Sequence, residues 1–382
     1  MSDLVISELV NLLSKLISFK SLTPRGKDAI LYVSNILENY GFTCDVQEFG
    51  AGEELTTNLY AFYGNEKPNI CFAGHLDVVP AMNQDLWSHP PFTATIIDDK
   101  IYGRGAVDMK GALACSILAS CNIIKAKPDL NGAISFLLTT DEEGKAEYGT
   151  QKMLEYIKDR YGKIDFCILG EPTTNVDIGD TVKIGRRGSI NFTLKIHGKQ
   201  GHVAYPEKAI NPVYSLNKIL TDLIAYKLDE GNEFFQSSNL EITSIDTGNI
   251  VTNIIPQSIT IKFNIRYNTQ HTDSDLIAII TDIVSAHSND YDLKYHSSSK
   301  PFTQELSPNM QNFIDVVAKI SKIKPSITTG GGTSDARFIY KFSEVLEFGL
   351  NANLAHKINE FTKISDLQTL YNVYHTFLNQ FL

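Results

Sequence analysis

Three consecutive carboxylates, Asp141, Glu142 and Glu143, stand at the end of the apolar run Phe136-Leu137-Leu138-Thr139-Thr140 and are followed by Gly144. A buried strand cannot carry those charges, so the acids belong just past its C-terminal end, the edge at which open α/β sheets bind ligands. Adjacent residues of extended chain point to opposite sides. Glu142 and Glu143 can therefore do different work, one reaching a metal ion and the other a water molecule. Taken alone, the stretch also fits a solvated acidic turn. Other apolar runs, however, end in the same way. Asn69-Ile70-Cys71-Phe72-Ala73-Gly74 leads into His75 and Asp77, and Phe166-Cys167-Ile168-Leu169 leads into Glu171. The stretch from Tyr102 to Gly111 presents Asp108, and a late segment from Asn351 to Glu360 adds His356. Each has a plain structural reading by itself. Together, two imidazoles and several carboxylates at strand ends form a donor set for zinc or a similar divalent ion.

The elements that must position these groups follow from periodicity. Leu4, Val5, Leu9, Leu12, Leu13 and Leu16 recur at helical spacing, which predicts a helix over 3–18. A second helix is expected over 29–40, closed by Gly41. Strands are expected at 43–49, 58–63 and 69–74, a hairpin at 93–97 and 100–102, and a helix apolar on all sides over 109–125. The strand carrying the acids, a helix at 151–161 and a strand at 166–169 complete an alternation that implies a largely parallel sheet. From about residue 181 the rhythm changes. Strand 190–196, helix 210–228, strands 240–245 and 258–267, helix 274–287 and strand 293–296 give β-α-β-β-α-β, the ferredoxin-like order. A helix at 308–323, the glycine loop at 330–335, a strand at 344–348 and a last helix with a capping box of Ser365 and Gln368 then return to the first pattern. The expected organisation is a catalytic domain from 1–180 and 299–382, interrupted by an inserted domain at 181–298. No repeat or low-complexity segment is evident.

A chain of 382 residues is long enough for two cores, and 43% hydrophobic with 20% charged is ordinary for a soluble globular protein. The formal net charge of -10 and the absence of a basic run argue against nucleic acid as a partner. An anionic substrate would have to be drawn by local Arg or Lys. Five scattered cysteines without CxxC pairing suit reduced, buried thiols in the cytosol. The N-terminal pattern is an amphipathic helix rather than a signal peptide, and no apolar run is long enough for a bilayer. A cytoplasmic protein with no membrane partner is therefore expected.

Ordered motifs carry a resemblance across nearly the whole chain. GHLDVV at 74–79, YGRGAVDMKG at 102–111, TTDEEG at 139–144, GEPT at 170–173 and GHVAYPEKAINP at 201–212 resemble the M20 family of dizinc amidohydrolases and peptidases. GRRGS at 185–189, TGGGTSDARF at 329–338 and HKINE at 356–360 are similar to the branch that removes succinate from N-succinyl-LL-2,6-diaminopimelate. Leu76 stands where threonine is commoner, and Gly331 is one glycine more than usual. Neither is at a ligand position.

The resemblance implies a zinc-exopeptidase-like α/β catalytic domain with a mostly parallel sheet, plus an α+β ferredoxin-like lid and dimerisation domain. It implies two Zn²⁺ per subunit, with Co²⁺ possible in one site. His75 and Glu171 would hold one ion, Glu143 and His356 the other, and Asp108 would bridge, followed by a cis peptide to Met109. Asp77 lies two residues from His75, so its carboxylate can take the imidazole N–H. Glu142 would be the general base. His202 would reach the active site of a neighbouring subunit and stabilise the oxyanion. Arg187 and Arg266 can each bind a carboxylate bidentately, with Ser189, Asn253, Gly332 and Thr333 beside the substrate. The Arg186-Arg187 pair leaves open which one points inward. The implied reaction is hydrolysis of the succinyl amide by a homodimeric bacterial cytoplasmic enzyme of lysine and diaminopimelate synthesis. Rival readings are another amidohydrolase of the family, such as an acetylornithine deacetylase or dipeptidase, and a non-catalytic metal-binding scaffold.

Overall fold

The runs Asn69–His75 and Ala133–Thr139 lie side by side as parallel strands, in register from Asn69 with Ala133 to His75 with Thr139, and every residue of both is buried. Strands covered on both faces read as continuous apolar sequence rather than as an alternation. Phe166–Leu169 pairs in parallel on the other side of Asn69–His75, and Glu344–Glu347 follows it in parallel. The computed structural model describes residues 2–64 and 67–382. In it these strands form the middle of an eight-stranded mixed sheet. Thr43–Phe49 and Thr56–Gly64 extend it antiparallel on one side; Thr181–Lys183 and Ser326–Thr328, two short strands that the sequence pattern does not announce, extend it on the other.

The helix Lys110–Ala126 connects Asn69–His75 to Ala133–Thr139 on one side, and the helix Thr150–Ile157 leads back to Phe166–Leu169 on the opposite side. Asn69–His75 is therefore a topological switch point, where ligands bind at the carboxyl ends of the strands. Lys110–Ala126 is buried on nearly every side because it packs between Asp3–Ser18 and Ile364–Phe381. The aromatic core beneath is continuous. Phe72 stacks on Phe136 and meets Tyr374 edge-on, and the Tyr374 hydroxyl donates to the Phe348 carbonyl at 2.7 Å.

The expected capping box of the last helix is not formed. The helix begins at Ile364, without a side-chain cap from its own chain end. Ser365 lies within its first turn, where its hydroxyl and N–H both go to the Asp99 carboxylate, at 2.5 and 3.1 Å. Phe361–Lys363 pairs antiparallel with Lys100–Tyr102, so Asp99 arrives at the helix start and serves its orphan donors from outside.

The second unit comprises residues 185–303 and 329–333. Its sheet runs Asn239–Asp246, Ser258–Tyr267, Gly188–His197, Tyr291–Ser299, antiparallel throughout. The helices Pro212–Ala225 and Asp273–Ser285 bring Leu216 and Ile280 to a core shared with Ile190, Phe192 and Phe263 of the strands. This is the ferredoxin-like arrangement. The stretch 329–333, placed with the catalytic half by sequence order, groups with this unit instead. Arg186 Nη1 donates to the Gly332 carbonyl at 3.0 Å, and Thr329 donates to the Phe234 carbonyl at 2.5 Å.

Candidate active site

At the switch point the strand ends deliver their polar residues together. His75 closes its strand with no solvent exposure, its Nε2 3.2 Å from Asp108 Oδ1 and 3.8 Å from Glu171 Oε1. Asp108 comes from the loop before Lys110–Ala126 and is joined to Met109 by a cis peptide. Its other oxygen, Oδ2, lies 3.2 Å from His356 Nε2, and the same nitrogen is 2.8 Å from Glu143 Oε1. His356 is brought in by the segment 351–360. One end of that segment is fixed by the Thr174 and Leu350 backbones, and the other by Phe361–Lys363 on Lys100–Tyr102.

Two overlapping groups could hold a cation. His75, Asp108 and Glu143 offer donor atoms within 4.8 Å of one another, and so do His75, Glu142 and Glu171. Asp108 is the observation that fits a pair of ions, because each of its oxygens addresses a different imidazole. A shared carboxylate of that kind is what two divalent ions about 3.5–4 Å apart require. Nitrogen and oxygen donors with two histidines suit zinc or a similar borderline ion.

The charges respond to this crowding. Burial alone would lower the His75 pKa, but the hydrogen bond to Asp108 and the nearby Asp77, Glu142 and Glu171 hold it well above the usual imidazole range. Hydrogen bonds to Asp108 and Glu143 push His356 up to about 10. Against its burial, the two histidines keep Asp108 ionised well below the usual carboxylate range. Glu142 is pushed well above its usual value, first by burial and then by the Glu171 charge.

Asp77 takes a different part from the one expected of it. His75 Nδ1 lies 2.9 Å from the Asp77 backbone carbonyl and 3.6 Å from its carboxylate. The carboxylate instead accepts the Glu142 N–H at 3.4 Å and the Glu143 N–H at 3.0 Å. It thus fixes the backbone that carries both glutamates, while the imidazole is oriented by main chain. Two further residues had no assigned role. Asp141 Oδ2 accepts the N–H groups of Glu147 and Tyr148, which folds the loop after Glu143. Lys110, fully buried and lowered to about 7 by that burial, donates 2.9 Å bonds to the carbonyls of Leu16 and Phe19. A charged residue inside a stretch of small ones, as in DMKGALA, was the available signal.

The second unit holds the remaining candidates. Arg187 is buried and Arg266 half-buried, both without a carboxylate partner among the described residues. Arg187 Nε and Arg266 Nη1 lack any hydrogen-bond acceptor. Burial, and for Arg187 also the Arg266 charge, depresses their pKa values. Arg186 is engaged with the glycine-loop carbonyls, while Arg187 Nη1 donates to Asn239 Oδ1 at 2.8 Å. Ser189 is in register with Arg266 and accepts from Asn264 at 3.0 Å. His202 and Asn253 are exposed neighbours, since Gly201–His202 pairs with Ile254–Ile255. His202 Nδ1 accepts the Ala204 N–H at 3.0 Å. In the neutral ring the proton then sits on Nε2, which points a donor outward. The Gly332 carbonyl accepts from Arg186, and Thr333 is half-buried beside it.

The profile of peptidase family M20/M25/M40 matches residues 71–380. A succinyl-diaminopimelate desuccinylase from Orientia tsutsugamushi (strain Boryong) is 54% identical over 374 residues, covering 98% of this chain and 96% of that protein. A protein of the same name from Rickettsia canadensis (strain McKiel) is 54% identical over 379 residues, covering 98% and 99%. Among solved structures, an M20 family metallo-carboxypeptidase from Sulfolobus solfataricus superposes with a TM-score of 0.80 at 19% identity, covering 98% of this chain and 99% of that one. A dinuclear metal-binding M20 peptidase from Bacillus subtilis gives 0.71 at 14% identity, covering 99% and 98%. At these identities the two structures speak for the fold alone. Among the described residues no helix is long and apolar enough to cross a membrane.

Metal uptake is predicted to release protons. Without metal, the surrounding carboxylates favour the protonated forms of His75 and His356, whose pKa values are both raised. A nitrogen ligand must give up its proton to bind an ion. Affinity should therefore rise with pH through the neutral range. Calorimetry in buffers of different ionisation enthalpy should show at least two protons released on full loading, one from each of the two histidines; pH-independent uptake without proton release would contradict the assignment.

Proposed function

The chain belongs to peptidase family M20/M25/M40, and on that footing we propose that it hydrolyses N-succinyl-LL-2,6-diaminopimelate to succinate and LL-2,6-diaminopimelate. The observation that carries this reading is identity of 52–54% over nearly the full length with proteins named for that reaction. The paired arginines support it, because the substrate has three carboxylates and a carboxylate-rich ligand is what two uncompensated guanidiniums favour. The setting would be lysine and diaminopimelate synthesis in a bacterial cytoplasm.

His75 and Glu171 would hold one Zn²⁺, Glu143 and His356 a second, with Asp108 shared and Co²⁺ an alternative at one position. When bound, such a pair polarises a carbonyl and lowers the pKa of a water toward about 7. Glu142 stands beside the donor groups and takes the proton of the attacking water. It then delivers that proton to the nitrogen of the leaving amine. The amides gripped by Asp77 hold Glu142 and Glu143 in place during this transfer. Arg187 and Arg266 bind substrate carboxylates, with Ser189, Asn253, Gly332 and Thr333 supplying polar contacts around them. His202, through Nε2–H, donates to the carbonyl oxygen as negative charge develops there. We place that histidine in the site of a second subunit, in a homodimer made through the inserted unit. The outer strands Asn239–Asp246 and Tyr291–Ser299 offer edges for such pairing.

Glu142→Gln preserves shape and removes the base. Hydrolysis should fall by about 10²–10⁴-fold with two ions still bound; loss of metal would exchange the roles of Glu142 and Glu143. Mixed with His202→Ala, nearly inactive alone, it should regain partial activity once subunits exchange, and no rescue after proven exchange would place His202 in its own subunit. Arg187→Ala or Arg266→Ala should raise KM for the succinyl substrate roughly ten- to hundredfold, the value of a charge-assisted contact. Its effect on a simple acyl amino acid should be far smaller, and equal losses on both would make the arginines structural.

A further inference from the structure

Two loops must meet for Asp108 and His356 to face each other, and between them lies a buried ion pair that the mechanism above does not use. Arg104 and Glu360 have side chains 4% and 0% exposed, and Arg104 Nη1 is 2.7 Å from Glu360 Oε2. The other oxygen, Oε1, accepts the Val107 N–H at 3.0 Å and the Asp108 N–H at 3.4 Å. The guanidinium in turn donates to the His356 carbonyl at 3.3 Å and the Lys357 carbonyl at 3.4 Å. The Gly103 N–H donates to the Glu360 carbonyl at 2.9 Å, and the Arg104 guanidinium carbon sits 5.2 Å from the Trp87 ring centre.

We propose that Arg104 and Glu360 are positioning residues, a buried clamp that sets the distance between the Asp108 loop and the His356 loop. The inference rests on the two-ion reading, because it concerns how that ligand set is assembled. Stability alone is a poor reason for such a pair. Burying two charges is costly, and apolar side chains of the same volume often serve a core as well. What apolar side chains cannot supply is this pattern of donors and acceptors. It satisfies the amides leading into one ligand and the carbonyl of the other at the same time. The His356 loop also needs an external hold. His356 and Asn359 both have left-handed backbones, with φ of 62° and 59°. Outside glycine that conformation is uncommon, though asparagine and histidine adopt it more readily than most, and contacts that favour it help to hold it. Arg104 grips the carbonyl at the first of these residues, and the Asn359 side chain accepts the Ser88 N–H at 2.7 Å near the second. Ligands held by a well-made outer set of hydrogen bonds bind metal more tightly than the same ligands without it.

The two partners act on different ligands, which gives the test its pattern. Arg104→Lys keeps the charge but loses the planar fork, so it releases the His356 loop. Glu360→Gln keeps the shape but turns an amide NH₂ toward either the guanidinium or the Val107 and Asp108 amides. Metal-free wild type and both variants are titrated with Zn²⁺ against a chelating indicator, with circular dichroism and the metal-free thermal midpoint recorded alongside. Arg104→Lys is expected to weaken one of the two ions by about 10- to 100-fold and leave the other within about threefold. Glu360→Gln is expected to weaken both, because Asp108 serves both. In each variant kcat should fall with KM nearly unchanged, since no substrate contact is removed. Two ions bound with wild-type affinity in both variants would overturn the inference. So would equal weakening of both ions by both variants in step with the thermal midpoint, the mark of a merely structural pair. Should Arg104→Lys fail to fold, Glu360→Gln decides alone. A wild type that takes up fewer than two ions would sink the two-ion reading itself.

Discussion

Asp108 gives one carboxylate oxygen to each of two imidazoles, and the rest of the site depends on that sharing. Five acids, Asp77, Asp108, Glu142, Glu143 and Glu171, converge where little solvent reaches them. Carboxylates brought so close together call for compensating positive charge or for a proton on one of their own number. In the metal-free protein the crowding favours protonated His75 and His356 and also pushes the Glu142 pKa up. On the proposed assignment the compensating charge comes from two cations during catalysis. On that assignment metal binding and proton release are linked, because the same carboxylates that raise the two histidine pKa values would face the cations.

The fold meets this requirement by putting rigid elements under each ligand. His75 and Glu171 extend neighbouring parallel strands, and the loop carrying Glu142 and Glu143 leaves the strand on the other side of His75. Asp77 then ties that loop down through two backbone amides, so the glutamates inherit the rigidity of the sheet. The late histidine, by contrast, directly follows no strand of the central sheet. Its segment is pinned at both ends by backbone pairing and, on our inference, in the middle by Arg104. The ferredoxin-like unit carries chemistry of another kind: Arg187 and Arg266 have no carboxylate partner among the described residues, and His202 is exposed.

Much of this was legible in the sequence because it is local. An apolar run that ends in acids is a strand delivering them to a sheet edge, and residues 69–77, 133–143 and 166–171 behave so. The β-α-β-β-α-β rhythm was equally visible. What escaped was non-local. Thr181–Lys183 and Ser326–Thr328 are strands only because the sheet edge offers them partners. Ser365 belongs to Asp99, not to Gln368, because a hairpin far away in the chain arrives at its helix. Residues 329–333 join the second unit through backbone carbonyls and one threonine hydroxyl, which no hydrophobic pattern reports. Arg104 and Glu360 lie 256 residues apart, each inside a motif whose neighbours drew the attention. Asp77 was placed correctly beside His75, yet spacing could not tell whether its carboxylate or its carbonyl would take the imidazole.

The most direct test of the account is metal stoichiometry in Asp108→Ala. The variant and the wild type are loaded with Zn²⁺, freed of excess by gel filtration and analysed for bound metal, with circular dichroism confirming the fold. If one carboxylate holds the centre together, the wild type carries two ions and the variant loses both. A folded variant that retains one ion at full occupancy would show that Asp108 serves a single site and that the shared carboxylate is not what the structure depends on.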